Sequence, residues 1–464
     1  MRLTIKILGM LALAAAPTAQ AADTDVPPQA SAIREAVETD YDYLLDLYKR
    51  LHRNPELSYQ EKQTADRLAK ELRQLGFDVT EQVGVYKKRP DLTAYGVVAV
   101  MRNGDGPTVM LRTDLDGLPV EEKTGVPYAS NARQVEQTGE TVHVMHACAH
   151  DTHITMQVGA ARRLVEMKEA WQGTLVLVGQ PAEERIAGAA AMLADGLFER
   201  FPKPDYNLAL HTAGSVPSGD LVYATGPALA SSDSVDITVH GVGSHGAYPH
   251  QGKDPIVIAS HIVTALQTIV SRETDPLDSA VVTVGRMVGG TKHNIIPETV
   301  ELQLTVRTFD ADVRDRILAS IERIAKNTAR ALGVKEDDLP EVRLHGESVG
   351  PTVNDPAYTN RIAELWRAHF GADRVYEKPP VMGAEDFSHY GNTPDDIPSA
   401  MFWLGGTPAA EIKAAKARGE SVPSNHSPYF APEPEPVIKT GVQALTLAVL
   451  DLMTPTETAE ESGP

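Results

Sequence analysis

The chain has 464 residues, 42% of them hydrophobic and 23% charged, and a formal net charge of −20 at pH 7. Such a composition is typical of globular proteins, and the length allows two domains or one large divided domain. The negative charge argues against nucleic acid or an anionic membrane as a partner, because no basic stripe is available to neutralise phosphates.

The N-terminus has the features of a secretory signal peptide. Arg2 and Lys6 precede an apolar run over residues 7–16, and Ala19-Gln20-Ala21 fits a cleavage site between small residues. The apolar run is too short to remain as a membrane anchor. We therefore predict cleavage after Ala21 and export of the mature chain, with the periplasm as its destination.

Continuous apolar segments that alternate with helices predict an α/β fold, with a mostly parallel sheet covered by helices on both faces. Chemistry in such folds gathers at the carboxyl ends of the strands. Several polar residues lie at these ends or just beyond them, which favours a functional site there. They are Asp114, Asp116, Glu183, Glu184, His211 and the loop that holds Cys148.

The middle of the chain has a different pattern. Alternating strands, a helix with Asp254 as N-cap and Pro255 at its first position, and a second helix from about 311 to 332 predict a small α+β sandwich. Its outer strand could pair with a copy of itself across a two-fold axis.

The predicted domain order follows from this insertion. The segments are a signal peptide at 1–21, a catalytic domain in two parts at 30–226 and 345–455, a lid domain at 227–344, and a disordered tail at 456–464.

Cys148 is the only cysteine, and it stands two residues before His150 in "HACAHDTH". An exported chain with one cysteine cannot form an internal disulfide, so this thiol is a buried spectator, an intermolecular bridge or a functional thiolate. If the loop is extended, the side chains of Cys148 and His150 point the same way and can converge on one ion.

Glu183-Glu184, His211 and His426 extend this candidate site. The two adjacent carboxylates point in different directions, so one can bind metal while the other faces the substrate. Thiolate, imidazole and carboxylate together suit zinc, with manganese, cobalt or nickel as alternatives. The ligand set is larger than a single catalytic zinc requires, and two divalent ions with one bridging ligand would use all of it.

The motifs that carry these residues resemble those of the M20 metallopeptidases. The similarity is strongest to the amidohydrolase branch, which contains hippurate hydrolases, N-acyl-amino-acid hydrolases and auxin-conjugate hydrolases, and it covers about residues 35–450. The motifs are "RTDLDGLPV", "HACAHDTH", "GQPAEE", "LHT", "GSHGAYPHQGKDPI", "GGTKHNIIP", "TVRTFD", "GAEDFS" and "NHSPYF".

The resemblance implies a zinc-peptidase α/β domain with an inserted ferredoxin-like lid that forms a homodimer. It implies that Glu183 is the general base, that His245 stabilises the oxyanion, and that Asn294 helps to hold the substrate. In several dimeric members the equivalent histidine reaches the neighbouring subunit's site, so His245 could act within its own chain or across the dimer. The implied metal ligands are Cys148, His150, Glu184, His211 and His426.

Two positions differ from patterns within the family. Most of this branch has glycines beside the cysteine, where this chain has Ala147 and Ala149. Asp114 occupies a position that is a metal-binding histidine in other branches, and because aspartate is usual there in this branch we do not assign it as a ligand.

The resemblance implies metal-dependent hydrolysis of an N-acyl amino acid or a peptide with a free carboxylate. Two alternatives stay open: a metallo-carboxypeptidase or dipeptidase of the same superfamily, and a secreted binding protein without catalysis. Arg286, Lys292 and Arg307 in the lid could pair with a substrate carboxylate, or they could be ordinary surface charges.

The export prediction can be tested on the protein recovered from outside the cytoplasm. N-terminal sequencing should find Ala22 as the first residue, because the small residues before it suit the signal peptidase. An exported protein that still begins at Met1 would contradict the prediction.

Overall fold

The structure is a computed structural model that describes residues 29–454, apart from the side chains of residues 345–347. The predicted signal peptide at 1–21 and the predicted tail at 456–464 lie outside the described residues.

The first part of the chain alternates strands with helices. In chain order its elements are α1 (Ala30–Arg53), α2 (Lys62–Gln74), β1 (Asp78–Val83), β2 (Gly96–Asn103), β3 (Thr108–Asp114), β4 (Arg133–Val135), β5 (Thr141–His143), α3 (His150–Glu166), β6 (Gly173–Gln180), α4 (Gly188–Ala194), α5 (Leu197–Arg200), β7 (Tyr206–Pro217), β8 (Leu221–Tyr223) and β9 (Gly226–Leu229).

The middle part follows as β10 (Ser232–His240), β11 (Ser244–His245), α6 (Pro255–Thr268), β12 (Ala280–Gly289), β13 (Ile295–Ile296), β14 (Thr299–Thr308), α7 (Ala311–Ala331) and β15 (Glu341–Val349). The last part contains β16 (Thr352–Asn354), α8 (Pro356–Phe370), β17 (Val375–Glu377), α9 (Ser388–Gly391), β18 (Ser399–Thr407), α10 (Ala409–Ala417) and α11 (Pro434–Met453).

Eight strands form the central sheet, in the order β1-β2-β6-β3-β7-β18-β8-β17. The four middle strands, β6, β3, β7 and β18, run parallel to one another. Antiparallel pairing occurs toward both edges, where β2 meets β1 and β6 and where β8 meets β18. The predicted mostly parallel sheet is confirmed, and its carboxyl ends gather the polar residues singled out in the sequence.

Helices α1, α3 and α11 pack against one another and contribute to the largest apolar core. Glycines allow the close approach of α3 and α11, since a Cβ atom at Gly159 would lie 2.3 Å from Val442 and one at Gly441 would lie 1.8 Å from Met156. Helix α3 is therefore held tightly along its length, and it begins at the candidate ligand His150.

Within residues 29–454, two helical segments have the length and apolar composition of a membrane span, Pro255–Glu273 and Pro434–Met453. The second is 83% buried in its apolar window and is the core helix α11. The first joins α6 to a π-helical turn, and its buried residues, such as Ile258, Ile262 and Leu266, pack in the core of the smaller sheet.

The middle part forms a separate four-stranded antiparallel sheet, in the order β12-β14-β10-β15, with its own apolar core. Helices α6 and α7 pack on this sheet and on each other. Asp254 caps α6 by accepting a hydrogen bond from the Ile256 amide. The inserted α+β unit is confirmed, and the boundary placed at residue 344 falls within β15.

Candidate metal centre

The candidate residues meet where the parallel strands end. A cavity of about 610 Å³ lies there, and its lining spans both sheets. The residues singled out in the sequence that line it are Cys148, Glu183, Glu184, His211, Arg307 and His426. His150 lies fully buried beside them, with its Nε2 atom 3.7 Å from Glu183 Oε2 and 3.8 Å from Glu184 Oε1.

Glu184 joins two groups of donor atoms. One group is Cys148, Glu184 and His426, and the other is His150, Glu183 and Glu184; within each group the atoms lie within 4.8 Å of one another. His211 is close as well, since its Nε2 atom is 3.5 Å from the Cys148 sulfur. These distances are short enough for the side chains to share bound cations.

Backbone carbonyls orient two of the imidazoles. His150 Nδ1 donates to the Asp116 carbonyl at 2.8 Å, and His211 Nδ1 donates to the Thr212 carbonyl at 2.9 Å. Because a carbonyl can only accept, Nδ1 of each ring carries a proton, and in the neutral form of the ring Nε2 then has a lone pair for a metal. His150 Nε2 and Glu184 Oε1 are buried without a hydrogen-bond partner among residues 29–454, as expected for groups that bind a metal.

The loop before α3 differs from the predicted extended backbone. Ala149, between Cys148 and His150, has a left-handed conformation with φ of 68°. Glycine adopts this conformation without strain, whereas a Cβ atom makes it cost about 1 kcal/mol or more. The expectation that Cys148 and His150 converge through an extended chain was therefore wrong, and the departure from glycine at position 149 lies at a strained position.

Two buried carboxylates hold the turn that carries the paired glutamates. The short 3-10 turn Glu183–Arg185 follows β6, and Ala182 before it is also left-handed, with φ of 48°. Glu61 accepts a hydrogen bond from the Ala182 amide at 2.8 Å. Asp116 accepts from the amides of Glu183 and Glu184 at 3.2 and 3.1 Å. These hydrogen bonds hold the backbone of the turn, so the side chains of Glu183 and Glu184 are left to face the cavity.

Asp114 is already engaged by other side chains. Its Oδ1 atom pairs with His153 Nδ1 at 2.6 Å, and its Oδ2 atom accepts from Arg112 at 2.8 Å. The second nitrogen of His153 accepts a hydrogen bond from the Thr212 amide at 2.8 Å. Both residues therefore brace the strand end that carries His211. Asp114 and His153 also form a group with His150 and His211 whose donor atoms lie within 4.8 Å of one another, so the exclusion of Asp114 from the ligand set stays a prediction.

Acidic groups dominate the electrostatics of the cavity. Burial, and then the neighbouring Glu385 carboxylate, raises the pKa of Glu183 well above its ordinary range. Burial, and then Glu184, likewise raises the pKa of the Cys148 thiol. Bound divalent cations would offset this concentration of negative charge and keep the thiol ionised. The donor set, its unpartnered atoms and its charge all fit a metal centre.

The profile of peptidase family M20/M25/M40 matches residues 110–451 of the chain. The chain belongs to this family. The M20 resemblance found in the motifs is thereby confirmed, together with the enzyme class of hydrolases that it implies.

Individual relatives agree with the M20 assignment. The chain is 36% identical over 363 residues to N-acetyl-L-cysteine deacetylase of Bacillus subtilis, covering 78% of this chain and 80% of that protein. It is 34% identical over 420 residues to thermostable carboxypeptidase 2 of Saccharolobus solfataricus, covering 90% and 97%. The solved structure of Bacillus subtilis YxeP, a dinuclear metal-binding peptidase of the M20 family, aligns with a TM-score of 0.69 and 27% identity over 90% of this chain and 100% of that one.

Two of the residues expected from the M20 resemblance lie apart from the metal cavity. His245 in β11 and Asn294 line a different, open cavity of about 1000 Å³, where the Gly246 amide donates to the Asn294 carbonyl at 2.8 Å. Neither is among the described residues that line the metal cavity. A single chain thus brings together the predicted metal ligands and Glu183 but not His245 or Asn294, whose roles stay predictions.

Four supporting residues of this M20 site had no role assigned from the sequence. Asp116 gave a partial signal, because it lies two residues beyond Asp114, the last residue of β3. Glu61 and His153 gave none, since their partners are distant in the chain or are backbone groups. Asn425 precedes the ligand His426, and its side-chain amide donates to the Thr212 carbonyl at 2.8 Å while its oxygen accepts from the Gly214 amide at 2.9 Å.

Behind the metal loop, a buried histidine joins two carboxylates. His52 in α1 pairs with Asp151 at 2.7 Å and with Glu122 at 3.1 Å, and all three side chains are almost fully buried. Burial alone would lower the pKa of His52, but the hydrogen bonds with Asp151 and then Glu122 raise it to about 9. Asp151 directly follows His150, so this charged cluster anchors the start of α3.

The His52 cluster predicts a pH-dependent loss of stability in His52→Gln. A histidine pKa raised above its unfolded value of about 6.5 stabilises the fold fully below that pH, and the stabilisation is lost as pH rises through 9. We expect the variant to be less stable by about 3 kcal/mol at pH 6, with a deficit that shrinks as pH rises from about 6.5 to about 9. Denaturant unfolding across this range measures it.

The matched control is His261→Gln, because His261 is exposed on α6. It should unfold like the unaltered protein at every pH. A His52→Gln deficit that stays constant from pH 6 to pH 10 would show that the imidazole charge contributes nothing.

Proposed function

We propose that the protein is a metal-dependent amidohydrolase that cleaves the amide bond of N-acyl amino acids. The observation that carries the proposal is the position of Glu183, whose carboxylate faces the cavity beside the metal-ligand cluster while its backbone is held by Asp116. The similarity to N-acetyl-L-cysteine deacetylase supports the substrate class.

Five side chains would hold two divalent ions, with zinc preferred and manganese, cobalt or nickel as alternatives. They are Cys148, His150, Glu184, His211 and His426. Bound there, such ions supply a water of lowered pKa and a polarised substrate carbonyl.

Glu183 is the general base in this scheme. Its carboxylate accepts the proton of the attacking water and then delivers that proton to the nitrogen of the leaving amine. The residue suits this task because it is buried in the cavity wall and its turn is anchored by Asp116. Movement of the lid would exclude bulk water from the site. It would also bring in a histidine, proposed below to be His245, that stabilises the oxyanion.

A second candidate function is carboxypeptidase activity on peptides with a free C-terminus. The specific observation in its favour is the similarity to thermostable carboxypeptidase 2, which spans 97% of that protein. Both reactions hydrolyse an amide next to a carboxylate, so they differ in the group on the acyl side.

The decisive assay compares N-acetyl and N-benzoyl amino acids with dipeptides and C-terminally blocked peptides. We expect the N-acyl amino acids to be cleaved with the highest kcat/KM, activity to be abolished by a chelator, and activity to return with zinc or manganese. Higher kcat/KM for unblocked dipeptides would favour the peptidase alternative, and no hydrolysis in the metal-loaded protein would contradict both.

Two variants separate the roles within the site. Glu183→Gln should retain its metal but lose activity by about 10²–10⁴-fold, since it removes only the proton acceptor. Cys148→Ser should lose bound metal, because a thiolate ligand is replaced by a neutral hydroxyl. Elemental analysis of the purified variants measures metal content, and full activity in Glu183→Gln would overturn the assignment of the base.

We also propose that the protein is a homodimer through the four-stranded sheet of the lid, and that His245 acts across the dimer. Strand β12 is an edge strand of this sheet. Met287 and Val288 on it are 41% and 46% exposed, and Val257 on α6 is 48% exposed. Exposed apolar side chains along a free strand edge are suited to pairing with a second copy.

Mixing inactive variants tests this arrangement. If His245 acts across the dimer, Glu183→Gln and His245→Ala subunits form mixed dimers in which one site has both groups. Equal mixing with subunit exchange should then restore about a quarter of the unaltered activity. No restoration in a mixture that light scattering shows to be dimeric would place His245 in its own chain's site, and a monomeric protein would contradict the dimer itself.

A further inference from the structure

Two cations line the metal cavity in addition to the ligand residues. Arg307 lies in β14 of the smaller sheet, and Lys378 directly follows β17 of the central sheet. Both side chains are half-buried. Among the side chains that the structure describes, neither has an ion-pair partner within 4 Å. The Lys378 ammonium lies 5.6 Å from the centre of the Tyr376 ring.

Several other half-buried or buried arginines of this chain are ion-paired. Arg314 binds Asp233, and Arg112 binds Asp114 and Glu385. Burial lowers the pKa of Arg307 and of Lys378, which means that removal from water disfavours both charges. In a chain with 63 acidic and 43 basic residues, two unpaired cations facing one cavity are suited to an anionic ligand.

Strand register separates Lys378 from the metal ligands. His211 in β7 pairs with Trp403 in β18, Trp403 pairs with Val222 in β8, and Val222 pairs with Tyr376 in β17. Lys378 is two residues further on. Three spacings between neighbouring strands place the backbone of Lys378 about 14 Å from that of His211, measured across the sheet. An extended small molecule can therefore reach Lys378 while its amide lies at the metal ligands.

We propose, on the basis of the amidohydrolase function above, that Lys378 and Arg307 select substrates with two carboxylates. One free carboxylate of an N-acyl amino acid can pair with one of these cations, and a second anionic group is required to pair with the other. The second carboxylate comes either from the side chain of an acidic amino acid or from a dicarboxylic acyl group.

Matched substrate pairs test the proposal and distinguish the two sources. N-acetyl-L-glutamate is compared with N-acetyl-L-glutamine, and N-succinyl-L-leucine is compared with N-butanoyl-L-leucine. We expect the dianionic member of at least one pair to have a kcat/KM at least about tenfold higher, and the pair that shows the preference identifies the source.

The preference should depend on Lys378. In Lys378→Met the ratio of kcat/KM within the preferred pair should fall toward one, and in Lys378→Glu it should reverse. Lys413→Met, at an exposed lysine of α10, removes the same charge away from the cavity and should keep the ratio of the unaltered protein.

Two results would overturn the proposal. The first is a ratio near one in both pairs for the unaltered protein. The second is an equal loss for both members of a pair in Lys378→Met, which would mean that the lysine binds a group common to all substrates. Absence of hydrolysis for all four substrates would instead contradict the amidohydrolase function, and the inference with it.

Discussion

The metal centre depends on left-handed backbone at three residues that are not glycine. Ala149, Ala182 and His426 have φ values of 68°, 48° and 70°. Each lies in or next to a segment that supplies candidate ligands. Such conformations persist only where the surrounding structure compensates for them, and they are concentrated at functional sites.

Specific hydrogen bonds hold each of these segments. The Ala182 amide donates to Glu61, and the His426 amide donates to the Ala147 carbonyl at 2.8 Å. The Ala149 carbonyl accepts a hydrogen bond from the Thr152 hydroxyl at 2.7 Å. Hydrogen bonds of the backbone therefore hold these loops in place, and the metal-binding atoms of their side chains are left facing the cavity.

The buried charged side chains fall into the same two groups: those that are bonded to other parts of the protein and those that face the cavity. Asp114, Asp116 and Asp151 are buried, and each is hydrogen-bonded to a group from another part of the chain. By contrast, His150 Nε2 and Glu184 Oε1 have no hydrogen-bond partner among the described residues, and the two atoms lie 3.8 Å apart. A network that satisfies the supporting acids but leaves these atoms free is suited to bind cations.

Sequence reasoning identified the parts of this site that are local. The apolar strands and the polar residues at their ends follow from short patterns, and so do the Asp254 cap and the insertion between His211 and His426. It could not identify Glu61 or His52, because each acts through a residue 121 or 99 positions away. The backbone of Ala149 was also missed, because alanine itself does not indicate a left-handed conformation, and the glycine usual at this position in the family was the only signal of one.

The proposed metal centre consists of five side chains that bind two divalent ions beside Glu183. Anomalous diffraction from crystals of the metal-loaded protein, recorded at the absorption edge of the bound metal, tests it directly. We expect two anomalous peaks beside Glu183, within bonding distance of Cys148, His150, Glu184, His211 and His426. Peaks held by Asp114 and His153 instead, or no peak in this cavity, would contradict it.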